Sequence, residues 1–102
     1  YLGAATTTDS YRFYALAGDP PARPGLVKGT TGSGAPIAVE LWSLPFETVG
    51  SFLKGIPAPL GIGTVDLSDG RQVKGFICEA EAIADSTDIT QLGDWRLYLA
   101  QA

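Results

Sequence analysis

One predicted β-hairpin carries the side chains that are best placed for chemistry. Lys74 lies in the middle of its second strand and Thr64 lies on its first strand, both on the face that alternation predicts to be polar. A lysine ammonium beside a hydroxyl group can hold an anion, and the same lysine can equally be a solvated surface cation. These residues alone do not distinguish between the two interpretations.

A proline-containing segment leads into this hairpin. Its two prolines restrict the backbone, so we expect an extended, stiff segment before the first strand. Such a segment suits the wall of a pocket, and it also suits a plain connector. Its residues are Pro57, Ala58, Pro59, Leu60 and Gly61.

Two further side chains could handle a proton. Glu40 lies in the run Ile37–Leu44, which we expect to be a central strand because both of its faces are apolar. Glu40 is then a general acid or base, or else a salt-bridged or rim-exposed structural acid, which we favour. Tyr14, in the predicted strand Tyr11–Leu16, carries a hydroxyl that can donate a hydrogen bond.

The composition excludes several other chemistries. The 102 residues contain no histidine and one cysteine, so they form no Ser-His-Asp or Cys-His triad and no histidine-based metal site. Cys78 ends an apolar strand, which is typical of a small buried hydrophobic residue. No glycine loop of the phosphate-binding kind is present. We therefore expect neither a metal nor a cofactor.

Charge and hydropathy narrow the possible partners. The net charge is −4, whereas a nucleic-acid surface needs a basic stripe. No apolar run approaches the roughly 20 residues of a membrane span, and no signal-peptide pattern opens the chain. The length fits a single domain, residues 1–102. We expect no nucleic-acid partner and no membrane contact.

The register of the hairpin follows from the faces of its strands. A two-residue turn at Asp69–Gly70 would pair Val65 with Lys74. A three-residue loop pairs Val65 with Val73 instead, and it places Gly70 where a positive φ is needed. We predict the three-residue loop, which gathers one apolar face: Val65, Leu67, Val73 and Ile77.

Two helices are expected to cover the strands. The first spans Pro45–Lys54, and the second begins at a cap on Asp88. Both have apolar residues at helical spacing, which is typical of packing against a core. These residues are Phe46, Val49, Phe52 and Leu53 in the first helix, and Ile89, Leu92, Trp95 and Leu99 in the second.

Shorter elements complete the expected fold. Glu79–Ala84 could form a short helical turn. Gly18–Pro24 is expected to be a loop because prolines remove ladder donors, and Gly25–Gly29 is expected to be a short strand.

Five segments of the chain resemble the C-terminal domain of allophanate hydrolase, the second enzyme of two-step urea breakdown. They are YRFYAL, PARPGLV, VELWSLP, GSFLKGIPAPLGIGTVDLSDGRQVKGFICE and DITQLGDWRLYLA. The resemblance covers nearly the whole chain, and the block from Ile56 to Glu79 is specific. It implies an α+β fold similar to γ-glutamyl cyclotransferases, a small, strongly curved mixed sheet or barrel with two main helices.

The resemblance also implies a role in urea degradation, a part of cytoplasmic nitrogen metabolism. In that family an amidase-signature domain hydrolyses allophanate, and the C-terminal domain is implicated in decarboxylating N-carboxycarbamate. A small anionic carbamate-type substrate would then be held by Lys74, with Glu40 managing a proton and Tyr14 donating a hydrogen bond. Thr64 and the segment Pro57–Gly61 would line the pocket, and the amidase domain would act in cis or in trans.

A second function stays open, a non-catalytic module that holds an amidase in a homo-oligomer or a multi-enzyme complex. Related domains begin with another strand, which carries a histidine in full-length allophanate hydrolases and is missing before Tyr1. The chain also has no methionine, so we expect a fragment without its first strand and with a sheet edge open to another chain. The cyclotransferase glutamate has no counterpart here, so we expect no cyclotransferase activity. Whether the isolated chain is an enzyme stays open.

Overall fold

The computed structural model describes residues 1–18 and 23–101. Within these ranges, seven strands and two α-helices follow one another, with 3₁₀ turns at Phe46–Thr48 and Ala80–Asp85. No helix in these two ranges is long and apolar enough to cross a membrane. The strands are β1 (Gly3–Thr6), β2 (Tyr11–Leu16), β3 (Arg23–Lys28), β4 (Ala38–Leu41), β5 (Leu60–Asp66), β6 (Gln72–Cys78) and β7 (Thr87–Asp88), and the helices are α1 (Val49–Lys54) and α2 (Trp95–Gln101).

The strands form three small antiparallel sheets, with orders β1-β4, β3-β2-β7 and β5-β6. The α+β class is therefore confirmed. The expected single curved mixed sheet or barrel is wrong for the described residues, since every strand pair among them is antiparallel and no sheet closes. The strands are short, and β1 and β4 have only four residues each, so each sheet stays narrow.

Backbone hydrogen bonds and one buried core join the three sheets. The Thr8 amide donates to the Asp66 carbonyl at 3.0 Å, and the Ser68 amide donates to the Thr6 carbonyl at 2.9 Å. Tyr11 is fully buried, and its hydroxyl accepts a hydrogen bond from the Asp66 amide at 2.9 Å. The core around it draws residues from the β3-β2-β7 and β5-β6 sheets and from connections, and Ala5, Val39 and Leu41 of the β1-β4 sheet pack against it. Its other buried residues are Phe13, Ala15, Leu26, Ile37, Val65, Leu67 and Ile89.

The predicted hairpin register is confirmed. Val65 pairs with Val73, and the Leu67 amide donates to the Arg71 carbonyl at 2.9 Å across a three-residue loop. Gly70 has φ +92°, a left-handed conformation that glycine adopts without a steric penalty. Val65 and Leu67 are buried in the core, as the predicted apolar face requires.

The prediction of a central strand at Ile37–Leu44 is wrong. The strand β4 ends at Leu41, and within the described ranges it pairs with β1 alone. Trp42 is 65% exposed and packs edge-on against the Tyr1 ring at 5.2 Å. The apolar residues after Leu41 therefore face outward, and apolar character on both faces did not signal burial here.

The first predicted helix forms, but its apolar face is not part of the core. A 3₁₀ turn at Phe46–Thr48 leads into α1, and neither element contains a buried residue. Phe46 is 91% exposed. Phe52 meets Phe76 of β6 with ring centroids 5.7 Å apart, so α1 lies against the outside of the β5-β6 hairpin. Helical periodicity identified the helix and misassigned what its apolar face contacts.

The last helix begins at Trp95, later than the predicted cap at Asp88. Gly93 has φ +64°, which ends the preceding turn, and the Asp94 carboxylate accepts a hydrogen bond from the Arg96 amide at 2.8 Å. Asp88 belongs to β7 instead. Trp95 packs against Phe13 at 6.3 Å as expected, whereas Leu99 is exposed.

The remaining predictions are mostly confirmed. The strand predicted at Tyr11–Leu16 is β2, and a 3₁₀ turn lies close to Glu79–Ala84. Asp19–Ala22 of the predicted loop lie outside the described residues. Pro24 was expected in that loop, but it lies in β3 opposite Ala15. Its missing N–H is tolerated because β3 is an edge strand of its sheet.

A small polar network joins β2 to β7. The Asp88 carboxylate accepts hydrogen bonds from the buried Thr90 hydroxyl at 2.6 Å and from the Thr90 amide at 2.9 Å, and it forms an ion pair with Arg12. Burial raises the pKa of the Asp88 carboxyl, but the hydrogen bonds from Thr90 and Arg12 outweigh it and hold that pKa below its usual value.

This network predicts a pH-dependent contribution of Asp88 to stability. Because its pKa is lowered in the folded state, the contribution is complete above the unfolded pKa of about 3.9 and is lost as the pH falls through the lower folded value. We expect Asp88→Asn to destabilise the domain at pH 7 and to approach the wild type at pH 2. Denaturant unfolding between these pH values measures the free energy of unfolding of the variant and of the wild type, and Asp85→Asn, at an exposed residue, is the control. A destabilisation that does not change with pH would contradict the assignment.

Candidate anion site on the β5-β6 hairpin

Lys74 and Thr64 lie together on the outer face of the hairpin. They are directly paired across β5 and β6, and the Lys74 Nζ donates a hydrogen bond to the Thr64 Oγ1 at 2.9 Å. Both side chains are exposed. The predicted neighbour relation is therefore observed, and the ammonium group keeps further donors free for an anion.

Lys74 differs from most basic residues of the chain in having no carboxylate partner within residues 1–18 and 23–101. Four other cations each form an ion pair there: Arg12 with Asp88, Lys28 with Asp66, Arg71 with Asp69, and Arg96 with Glu40. An unpaired ammonium hydrogen-bonded to a neutral hydroxyl can accept an anion without first breaking a salt bridge.

A pair of glycines fixes the hairpin beneath this site. Gly63 pairs with Gly75, and both are adjacent in sequence to the Thr64 and Lys74 positions. A Cβ on Gly63 would lie 2.7 Å from the Ile77 Cδ1, and one on Gly75 would lie 3.0 Å from the Val65 Cγ2. The inner face of the hairpin is thus closely packed at the position where the outer face carries the Lys74–Thr64 pair.

The segment before the hairpin turns sharply instead of being extended. The Leu60 amide donates to the Pro57 carbonyl at 3.0 Å, and the Ala58–Pro59 peptide bond is cis. Leu60 and Gly61 already belong to β5. Leu60 and Thr64 are four positions apart along β5, which is about 13 Å at 3.3 Å per residue. The extended conformation was wrong, and a pocket wall formed by Pro57–Gly61 stays a prediction.

Glu40 and Tyr14 lie in the other two sheets. Glu40 of β4 forms an ion pair with Arg96 and accepts a hydrogen bond from the Trp42 Nε1 at 3.3 Å, which matches the salt-bridged alternative. Tyr14 of β2 lies opposite Asp88. No hydrogen bond or ion pair of the described side chains links either residue to Lys74. Their predicted catalytic roles stay predictions.

Sequence reasoning missed a polar groove at the loop end of the hairpin. It has a volume of about 600 Å³ and is lined in part by Lys28, Asp66 and Arg71. The Lys28 Nζ donates to the Asp66 carboxylate at 2.6 Å, and this hydrogen bond holds the pKa of the Asp66 carboxyl below its usual value. Lys28 and Asp66 are far apart in sequence, so their spacing contained no signal of the contact.

The single thiol is not activated. Cys78 is buried, and its Sγ donates to the Glu79 carbonyl at 3.4 Å. Burial, and then the nearby Glu79 charge, raise the pKa of the thiol. A small buried hydrophobic role, as predicted, fits this environment.

Comparisons with known proteins agree on one family. Residues 1–100 match the family model described as allophanate hydrolase C-terminal domain. The chain is 39% identical over 102 residues to the urea amidolyase of Lachancea kluyveri, covering 97% of this chain and 6% of that protein. The urea amidolyase of Saccharomyces cerevisiae is 38% identical over 101 residues, with 96% and 6% covered.

Solved structures give the same result. The chain superposes on Kluyveromyces lactis allophanate hydrolase with a TM-score of 0.94 at 38% identity, covering 99% of this chain and 17% of that one. It superposes on a uropathogenic E. coli-specific protein with a TM-score of 0.85 at 31% identity, covering 98% and 76%.

These matches define the class, a small α+β domain that recurs within much larger urea amidolyase and allophanate hydrolase chains. The chain belongs to the allophanate hydrolase C-terminal domain family. It spans about 6% of the length of the curated relatives, whereas it spans most of the E. coli protein. The resemblance drawn from the sequence segments is confirmed.

Proposed function

We propose that this domain supports the decarboxylation of N-carboxycarbamate in urea degradation, with Lys74 and Thr64 holding a carboxylate of the substrate. Family membership supports the reaction, because the matched relatives are urea amidolyases and allophanate hydrolases. One observation carries the site, the exposed Lys74 ammonium that is bonded to the Thr64 hydroxyl and to no described carboxylate.

The proposed step is simple in chemical terms. The dianion ⁻OOC–NH–COO⁻ takes a proton on nitrogen, its C–N bond breaks with the electron pair moving to nitrogen, and CO₂ and carbamate leave. The proton comes from solvent, and Glu40 is proposed to manage its transfer. Lys74 stabilises the carboxylate that remains on carbamate, and Thr64 orients the ammonium. This decarboxylation step requires no strongly activated nucleophile.

The partners follow from the same proposal. An amidase-signature domain, in cis or in trans, supplies N-carboxycarbamate by hydrolysing allophanate, and the surroundings are cytoplasmic. Glu40 and Tyr14 keep their proposed roles in proton transfer and hydrogen bonding, although their sheets differ from that of Lys74. We also propose that the fold of this domain is related to that of the γ-glutamyl cyclotransferases.

The test is CO₂ release from freshly formed N-carboxycarbamate. An amidase that hydrolyses allophanate generates the substrate in the cuvette, and a CO₂-sensitive dye follows its decay with and without the purified chain. We expect the chain to accelerate release by about tenfold or more, since positioning a bound anion can contribute at least this much. Equal decay in both samples would remove the enzymatic proposal for this chain.

A second candidate function is an assembly module for an amidase oligomer or complex. Large exposed apolar side chains favour it, among them Phe46 and Trp42, because extensive exposed apolar surface marks sites of protein–protein contact. Sedimentation of the purified chain tests it, and a monomer at every concentration would contradict it.

A further inference from the structure

An apolar stripe runs along the solvent side of the first helical segment. Phe46, Gly50 and Leu53 are spaced four and three residues apart, so they share one face of the 3₁₀ turn and α1. Phe46 is 91% exposed and Leu53 is 45% exposed. Phe52 points to a different side, where it meets Phe76. The stripe is therefore not the surface by which α1 packs on its own hairpin.

Gly50 lies in the middle of the stripe, and no contact within the described residues requires glycine at this position. A Cβ added at this position would meet no atom within 4 Å. Glycine also weakens a helix interior relative to alanine. A position without a side chain allows a second helix to approach closely, because the distance between packed helices depends on the side chains at their contact.

The charged residues beside the stripe are placed so that they complement those of a second, antiparallel copy of the same segment. Glu47 lies at its start and Lys54 at its end, seven residues apart on the same flank. Both side chains are exposed, and neither forms an ion pair with a described residue. Two such segments placed antiparallel about a two-fold axis near Gly50 bring Glu47 of each copy to Lys54 of the other.

We propose that two copies of this domain associate through this stripe, with antiparallel helical segments crossing at Gly50 and two Glu47–Lys54 ion pairs flanking the contact. The inference rests on the assembly function proposed above and names its contact. Phe46 and Leu53 offer on the order of 250 Å² per copy, because a large aromatic side chain presents about 150–250 Å². A standard interface buries about 800 Å² per partner, so the dimer is weak and reversible.

Sedimentation equilibrium between about 10 μM and 1 mM tests the contact. The wild type is expected to show a monomer–dimer equilibrium, and Phe46→Ala is expected to weaken it about tenfold or more because a central aromatic anchor is lost. Phe46 is almost fully exposed, so this change leaves the fold of the monomer intact. Leu97→Ala, at a 53% exposed leucine of α2, is the matched control and leaves the equilibrium unchanged.

Exchanging the charges at positions 47 and 54 tests whether the two helical segments pack antiparallel, as distinct from a nonspecific effect of changing the helix surface. Glu47→Lys alone and Lys54→Glu alone each place like charges together twice, so each weakens the dimer about tenfold. The double variant Glu47→Lys/Lys54→Glu restores the wild-type equilibrium. A double variant as weak as the single variants would overturn the antiparallel contact.

The remaining outcomes separate this inference from the assembly function. A dimer that survives Phe46→Ala overturns the stripe as the contact while leaving the assembly function in place. A wild type that stays monomeric at 1 mM overturns the contact between two copies, and it contradicts assembly by self-association as well. Neither outcome changes CO₂ release, which tests the catalytic proposal separately.

Discussion

Replacing Gly34 with alanine is expected to destabilise the domain by about 3 kcal/mol or more. An added Cβ would lie 1.9 Å from the Tyr11 carbonyl oxygen and 2.4 Å from its carbonyl carbon. These atoms cannot move independently, because the Ala35 amide donates to that same carbonyl at 2.9 Å and the Tyr11 side chain is fully buried. The backbone of β2 or of the turn at Gly34 must therefore shift.

Thermal and denaturant unfolding of Gly34→Ala measure this effect. At about 4–8 °C per kcal/mol for a domain of this size, the melting temperature falls by more than about 12 °C. Gly61→Ala is the control, because a Cβ on Gly61 meets no atom within 4 Å. A Gly34→Ala midpoint close to that of Gly61→Ala would show that the close approach at Tyr11 is not present in solution.

Lys74→Ala is expected to weaken the binding of a small dicarboxylate about tenfold, because it removes the charge-assisted hydrogen bond at the site. Malonate is the probe, since it replaces the bridging nitrogen of N-carboxycarbamate with carbon and does not decay during a titration. Chemical-shift titration of the backbone amides measures its dissociation constant. In the wild type, the largest shifts are expected at Thr64 and Lys74.

Arg71→Ala is the matched control for Lys74→Ala. It removes the same charge from the same hairpin, but Arg71 is already paired with Asp69 at 2.8 Å within the loop. We expect malonate affinity to change little in this variant. Equal losses in both variants would mean that general electrostatic attraction, and not the Lys74–Thr64 site, holds the anion.

The hairpin shows how much of the fold could be predicted from sequence. Its register depends on which side chains must share a face, and on a glycine at the one loop position with positive φ. Both constraints act within about twenty residues, so local reasoning identified the Thr64–Lys74 pair as well. The family resemblance was likewise readable, because the specific block includes this hairpin.

The helices show where local reasoning failed. Apolar spacing at Phe46, Phe52 and Leu53 predicted a helix correctly, but it does not state whether the apolar face meets the core, a neighbouring strand or another chain. For the last helix, the cap signal at Asp88 competed with pairing to β2 and with the hydrogen bond from the Ala38 amide to the Gly93 carbonyl at 2.6 Å. These tertiary contacts leave no trace in the local pattern.

The candidate site likewise contains residues whose proximity could be predicted from the sequence and residues whose positions could not. Lys74 and Thr64 are joined by one hairpin, and their proximity could be predicted. Glu40 and Tyr14 depend on how three sheets pack, and the ion pair of Glu40 with Arg96 links residues more than fifty positions apart. Spacing along the chain contains no information on such contacts, so the grouping of all three residues in one site stays a prediction.

Whether Lys74 makes this domain active on N-carboxycarbamate can be measured by comparing variants of the chain. CO₂ release is followed in the same assay for the wild type, Lys74→Ala and Arg71→Ala at equal concentrations. We expect acceleration by the wild type and by Arg71→Ala, and a rate near the spontaneous one for Lys74→Ala. Wild-type acceleration that persists in Lys74→Ala would contradict this expectation.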